Sequence, residues 1–78
     1  MHIEYFPETD TLYISLAGRT STESQEIAPH VVADFDEDGR LVGIEIDPVK
    51  DLVDLSHLEA KGLPFTNLQL NREIATAK

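Results

Sequence analysis

Apolar and polar positions alternate with period two over most of the first half of the chain, which is the signature of half-buried strands rather than helices. His2 to Phe6 is a short β-type run with Ile3 and Tyr5 on one side of the pleat. Pro7-Glu8-Thr9-Asp10 breaks it with turn chemistry, and Thr11 to Leu16 resumes in strict alternation. Leu12, Ile14 and Leu16 face one way, while Thr11, Tyr13 and Ser15 face the other. These two runs predict a hairpin. Ala17-Gly18-Arg19 is a turn, and the polar, threonine-rich stretch Thr20 to Gln25 fits an exposed edge strand. Glu26 and Ile27 extend the pairing until Pro29 interrupts it.

A second hairpin follows, from His30 to Asp47. Asp36-Glu37-Asp38-Gly39 is its turn, with Gly39 supplying a left-handed residue. Pairing Asp36 with Arg40 sets Phe35 opposite Leu41 and Val32 opposite Ile44. In that register one face carries Val32, Asp34, Val42, Ile44 and Ile46, and the other Val31, Ala33, Phe35, Leu41, Gly43 and Glu45. Both are mostly apolar, which predicts a central strand pair covered on both sides. The two hairpins also align without gaps, Tyr5–Leu16 on Phe35–Ile46, matching Leu12 with Val42, Ile14 with Ile44 and Leu16 with Ile46. Shared hairpin physics accounts for this weak likeness as well as duplication does.

Beyond Pro48 the pattern changes. Leu52, Leu55 and Leu58 form an apolar stripe, Ser56 and Glu59 have capping-box spacing, and Gly62 then Pro64 is a stop signal. A short helix over 51–61 is expected. In the tail, 65–78, Leu68, Leu70 and Ile74 fit neither period. A strand at 66–70, a second helix after Asn67 and a frayed end, with Thr76-Ala77-Lys78 mobile, all remain open. The predicted fold class is α+β: one domain over 1–78, with a mainly antiparallel β-meander of four to five strands over 1–47 and one short helix.

A chain of 78 residues supports a single core, and a core that small is marginal without help. Cysteine is absent, so disulfides and thiolate metal sites are excluded as staples. Self-association into a homodimer or higher oligomer is the remaining aid that best suits this composition. Fifteen acids against six basic residues give a formal charge of −9. A field of that sign repels nucleic-acid phosphates and anionic lipid, and favours a basic protein partner or divalent cations. No apolar run approaches the roughly 20 residues of a membrane span. The first residues have no basic region followed by an apolar core, so a cytoplasmic location is expected.

Candidate chemistry centres on the second turn. Asp34, Asp36, Asp38, Gly39 and Glu45 fit the written pattern of an EF-hand calcium loop. The flanking segments do not, since valine and isoleucine in alternation between Pro29 and Pro48 specify strands and not helices. In the hairpin register Asp34 and Glu45 fall on opposite faces. What remains is weak cation binding at the tip through Asp36, Glu37 and Asp38, with Asp36 and Asp38 the candidate ligands. His2, His30 and His57 are scattered without zinc-motif spacing. Ser56, His57 and Glu59 contain the residue types of a nucleophilic site, but capping explains the serine. No phosphate loop or cofactor motif is present, no catalytic residue stands out, and an enzyme is the least favoured reading.

The segments Ile3-Glu4-Tyr5, Thr11-Leu12-Tyr13-Ile14 and above all Val32-Ala33-Asp34-Phe35-Asp36-Glu37-Asp38-Gly39-Arg40-Leu41-Val42-Gly43-Ile44-Glu45-Ile46 resemble the family catalogued as domain of unknown function 2283. The resemblance runs from residue 1 to about 61 and leaves the tail uncovered. It implies a compact α+β protein of bacteria or archaea and transfers no catalytic residue. Its only functional pointer is toward an antitoxin-like, partner-binding role. The expected function is a non-enzymatic interaction module that self-associates and binds a basic partner. The alternative is a divalent-cation-binding protein using the acidic tip.

Overall fold

The computed structural model describes residues 1–72 as a five-stranded antiparallel sheet followed by a long irregular segment. The strands are β1 (His2–Phe6), β2 (Thr11–Ser15), β3 (Glu23–Ala28), β4 (Val31–Phe35) and β5 (Leu41–Ile46). Their order across the sheet is β1-β2-β5-β4-β3, so the architecture is all-β and not the α+β meander expected from sequence. β2 pairs with β5 rather than with its successor, and residues 16–22 carry the chain to the far edge, where β3 begins. The two hairpins therefore meet in the middle, and β1 and β3 are the edges.

Three turns make this possible. Thr9 donates its N–H to the Phe6 carbonyl at 3.3 Å, and Asp10 closes the first hairpin at φ 54°. Pro29 and His30 join β3 to β4, with His30 at φ 67°, the arrangement of a type II turn. Gly39, at φ 77°, donates to the Asp36 carbonyl at 3.0 Å in the turn between β4 and β5, where glycine meets no steric cost.

The register departs from expectation at one residue. Asp36 does pair with Arg40, and Phe35 does lie opposite Leu41. Asp34 then pairs with Gly43, leaving Val42 as the extra residue of a β-bulge. Every β4 residue before the bulge slips by one, so Val32 faces Glu45, not Ile44, and Ala33 faces Ile44. A one-residue slip exchanges faces. Ile3, Ile14, Ile44 and Ala33 now stand in one cross-strand row, with Tyr5, Leu12, Ile46 and Val31 beside it. The opposite face carries Glu4, Tyr13, Glu45, Val32 and Glu26 in one row, and His2, Ser15, Gly43, Asp34 and Ser24 in the next. The sheet has one apolar and one acidic face, where two mostly apolar faces were expected.

The likeness between the hairpins has a structural counterpart. Ile14 and Ile44, which match at an offset of thirty residues, are direct partners in the β2–β5 pair. Ile3 pairs with Ile14 as Ala33 pairs with Ile44, so both hairpins keep one register up to the bulge.

No helix occurs among the described residues, and the helix expected over 51–61 is absent. One turn does start: Leu52 and Val53 both donate to the Val49 carbonyl, at 2.8 and 3.1 Å. Asp51 at φ 71° stops it. Asp54 then takes both the N–H and the hydroxyl of Ser56, at 2.9 and 2.5 Å, so the serine makes a local turn instead of a helix cap. An 11-residue helix needs a packed face to persist, and Leu52, Leu55 and Leu58 are all exposed. Residues 65–72 form neither the strand nor the helix considered for the tail. The expectations for Ile74 and for Thr76-Ala77-Lys78 lie outside the described residues.

Candidate functional site

The acidic turn is built around one carboxylate. Asp36 is only 6% exposed, and both its oxygens are occupied. Oδ1 accepts the backbone N–H groups of Asp38 and Arg40, at 3.0 and 2.9 Å. Oδ2 accepts Nε–H from Arg19 and from Arg40, at 2.9 and 3.1 Å. The Arg40 N–H is the main influence holding the Asp36 carboxyl below its ordinary 3.8. The Asp38 N–H and both guanidinium charges add to it, while burial opposes. Asp38, the other candidate cation ligand, reaches Arg40 Nη2 at 3.0 Å. The structure thus brings Asp36 and Asp38 together, but around arginine. A cation at Asp36 would have to displace four donors, two of them already positive.

Asp34 and Glu45, expected on opposite faces, share the acidic face because of the bulge. Asp34 belongs to a separate network, accepting the Ser24 hydroxyl at 2.6 Å and the Tyr13 phenol at 3.1 Å. Tyr13 reaches it by lying over Gly43, where a Cβ would come within 2.9 Å of Tyr13 Cζ and 3.3 Å of the Ile14 carbonyl oxygen. Burial, then the bond to Asp34, raises the Tyr13 pKa. Among the described residues no group of three or more histidine and acid side chains is placed to hold a metal ion. His2 pairs with Glu4 at 2.8 Å, His30 occupies the β3–β4 turn, and His57 lies in the irregular segment.

Sequence reasoning missed a second acidic anchor. Asp10 Oδ1 accepts the Tyr5 phenol at 2.8 Å, Oδ2 accepts the Lys50 N–H at 2.9 Å, and its carbonyl accepts the Val49 N–H at 2.9 Å. The Lys50 N–H, followed by the Tyr5 phenol, lowers the Asp10 pKa. The clamp ties the chain beyond the cis Asp47–Pro48 bond to the first hairpin and seats Val49 at full burial. The available signal was the Tyr5-to-Asp10 spacing of the first hairpin motif, which composition explains as turn chemistry alone.

What this arrangement can do follows from its saturation. Asp36, Asp34 and Asp10 each accept hydrogen bonds that fix backbone or neighbouring strands, so all three set geometry. The surfaces they hold in place are the acidic face, with Glu4, Glu26, Glu45 and Asp34, and the apolar face behind it. No helix of the described residues is long and apolar enough to cross a membrane.

A family model described as protein of unknown function (DUF2283) matches residues 2–50, from the start of β1 to the Asp10 clamp. No curated protein matches the chain, and no solved structure does.

Proposed function

From the premise that the chain belongs to the DUF2283 family, we propose that it is a non-enzymatic interaction module that self-associates and binds a basic protein partner. The observation that supports this reading is the separation of the sheet into an apolar and an acidic face. The two faces suit different occupants. Carboxylates in neighbouring rows attract lysine and arginine over distances comparable to the Debye length, roughly 8–10 Å at physiological salt. An aliphatic row attracts only another apolar surface. An antitoxin-like role, in which a basic protein is held by an acidic one, and a cytoplasmic setting both belong to this reading.

Purification from the native host under mild salt, with mass spectrometry of the co-purifying proteins, tests it. A stoichiometric basic partner, released by high salt and lost in a Glu4→Gln, Glu26→Gln double variant, is the expected result. A clean homo-oligomer carrying a divalent cation would favour the cation-binding alternative and overturn this reading.

A further inference from the structure

The chain exposes more surface than its mass allows a finished monomer. Its accessible area is 6328 Å², against about 4,700 Å² for a compact monomer of this mass. Counting residues 73–78 as fully exposed chain still leaves an excess of roughly 900 Å². A standard protein interface removes about 800 Å² from each partner.

Much of the exposed apolar area lies on the β1 side of the apolar face and on the segment beyond residue 52. Ile3 is 49% exposed, and Ile14 and Ile44, at the centre of the sheet, are only half-buried. Residues 53–72 run along the β1–β2 side of this face without closing on it. With Ile3, Tyr5, Leu12 and Ile14 they bound a cleft of about 1560 Å³. The leucines of this segment remain outside any core, Leu58 at 75% and Leu70 at 80% exposed. An apolar wall of that size, facing water, is unusual in a protein that works alone.

We infer that a second copy of this chain covers the open β1–β2 side of the apolar face, with the leucine-rich segment 53–72 inside the interface. This rests on the self-association in the reading above and assigns it a surface. Charge selects the occupant. Each chain carries −9, so two copies associate only where apolar contact outweighs the repulsion between their carboxylates. The rows of Ile3, Ile14, Ile44 and Ala33 and of Tyr5, Leu12, Ile46 and Val31 carry no carboxylate, and Glu4 and Asp54 are the acids on the lining of the cleft beside them. Glu26, Glu45 and Asp34 then stay on the outward faces of the dimer. A basic partner meets most of its carboxylates on the outer face.

Sedimentation equilibrium of the full chain, with native mass spectrometry, tests the inference. The expected mass is twice the 8.7 kDa chain, with added salt strengthening the dimer by screening the outer acids. A Leu68→Glu, Leu70→Glu double variant alters only exposed positions outside the sheet, and is expected to weaken association at least about tenfold. Ile3→Glu is expected to do the same, and Glu26→Gln to leave the mass unchanged. A monomer at every concentration overturns the inference, as does a small apolar ligand filling the cleft. So does a dimer indifferent to Ile3→Glu and to the leucine variant, which would leave self-association standing on another surface.

Discussion

Replacing Gly43 with alanine isolates the device that holds the acidic face in shape. The added methyl would sit 2.9 Å from Tyr13 Cζ and 3.3 Å from the Ile14 carbonyl oxygen. The second contact is backbone and yields only slightly, so the ring must move. Overpacking of this kind costs about 1–3 kcal/mol. Moving the ring also breaks the 3.1 Å bond from the phenol to Asp34, a charge-assisted bond worth about 1.5–3 kcal/mol net in ordinary cases. Alanine returns about 0.5–1 kcal/mol through the lower entropy of its unfolded chain. The sum is a net loss of roughly 1.5–5.5 kcal/mol, a large share of the stability of a small domain. Urea denaturation of a double-mutant cycle with Tyr13→Leu is the assay. Leucine neither overlies Gly43 nor bonds Asp34, so in that background Gly43→Ala should cost less than about 1 kcal/mol. Equal costs in the two backgrounds, or a stabilising Gly43→Ala in the native chain, would refute the account.

Other expectations follow from the two acidic anchors. Asp36 and Asp10 titrate below their ordinary 3.8 when folded. Their contribution is therefore present above about pH 4 and lost as pH falls through the lowered values. Thermal melts should show Asp36→Asn less stable than the native chain at pH 7, with the difference shrinking toward pH 3. A gap that stays constant with pH would contradict the assignment. Asp38→Ala removes only an exposed partner of Arg40 and should change stability by less than about 1 kcal/mol by denaturant titration. Val49→Ala removes two methyl groups from full burial and should cost about 2 kcal/mol. It should also free Lys50 from Asp10, visible as faster amide exchange at Lys50. Calcium titrated calorimetrically should give no micromolar site. Stoichiometric heat that disappears with Glu45→Gln or Asp36→Asn would reverse that expectation.

The strands were legible because they rest on local chemistry. Alternation at Thr11–Leu16, the proline and acids at 7–10, and the Asp36–Gly39 turn each specify their own element within a few residues. The order of the strands was not, because the β2–β5 pair depends on residues thirty apart and on a polar segment, 16–22, that could equally have led to a meander. The helix failed for a physical reason. Leu52, Leu55, Leu58 and the Ser56–Glu59 spacing supply a pattern, but a pattern of 11 residues stabilises nothing unless the stripe is buried. Among the described residues it faces no core, and Asp54 offers Ser56 a closer partner than the helix would. If a second copy covers this segment, the stripe reflects an intermolecular demand read as an intramolecular one.

The bulge at Val42 shows how a motif can be present and still serve another end. As written, Asp34, Asp36, Asp38, Gly39 and Glu45 compose a calcium loop, and the expected register argued against it by setting Asp34 and Glu45 on opposite faces. That argument fails, since the extra residue at Val42 returns both to one face. What displaces the cation is charge already in place. Arg19 arrives from the β2–β3 connection and Arg40 from the turn itself; both donate to Asp36, and Arg19 Nη2 also donates to the Leu41 carbonyl at 3.4 Å. A guanidinium pair on Asp36 gives the charge neutralisation a cation would give, without an open coordination position. The same bulge that brings the acids together segregates the two faces of the sheet, so the residues resembling a metal loop are better accounted for as the register device from which an apolar surface and an acidic surface both follow.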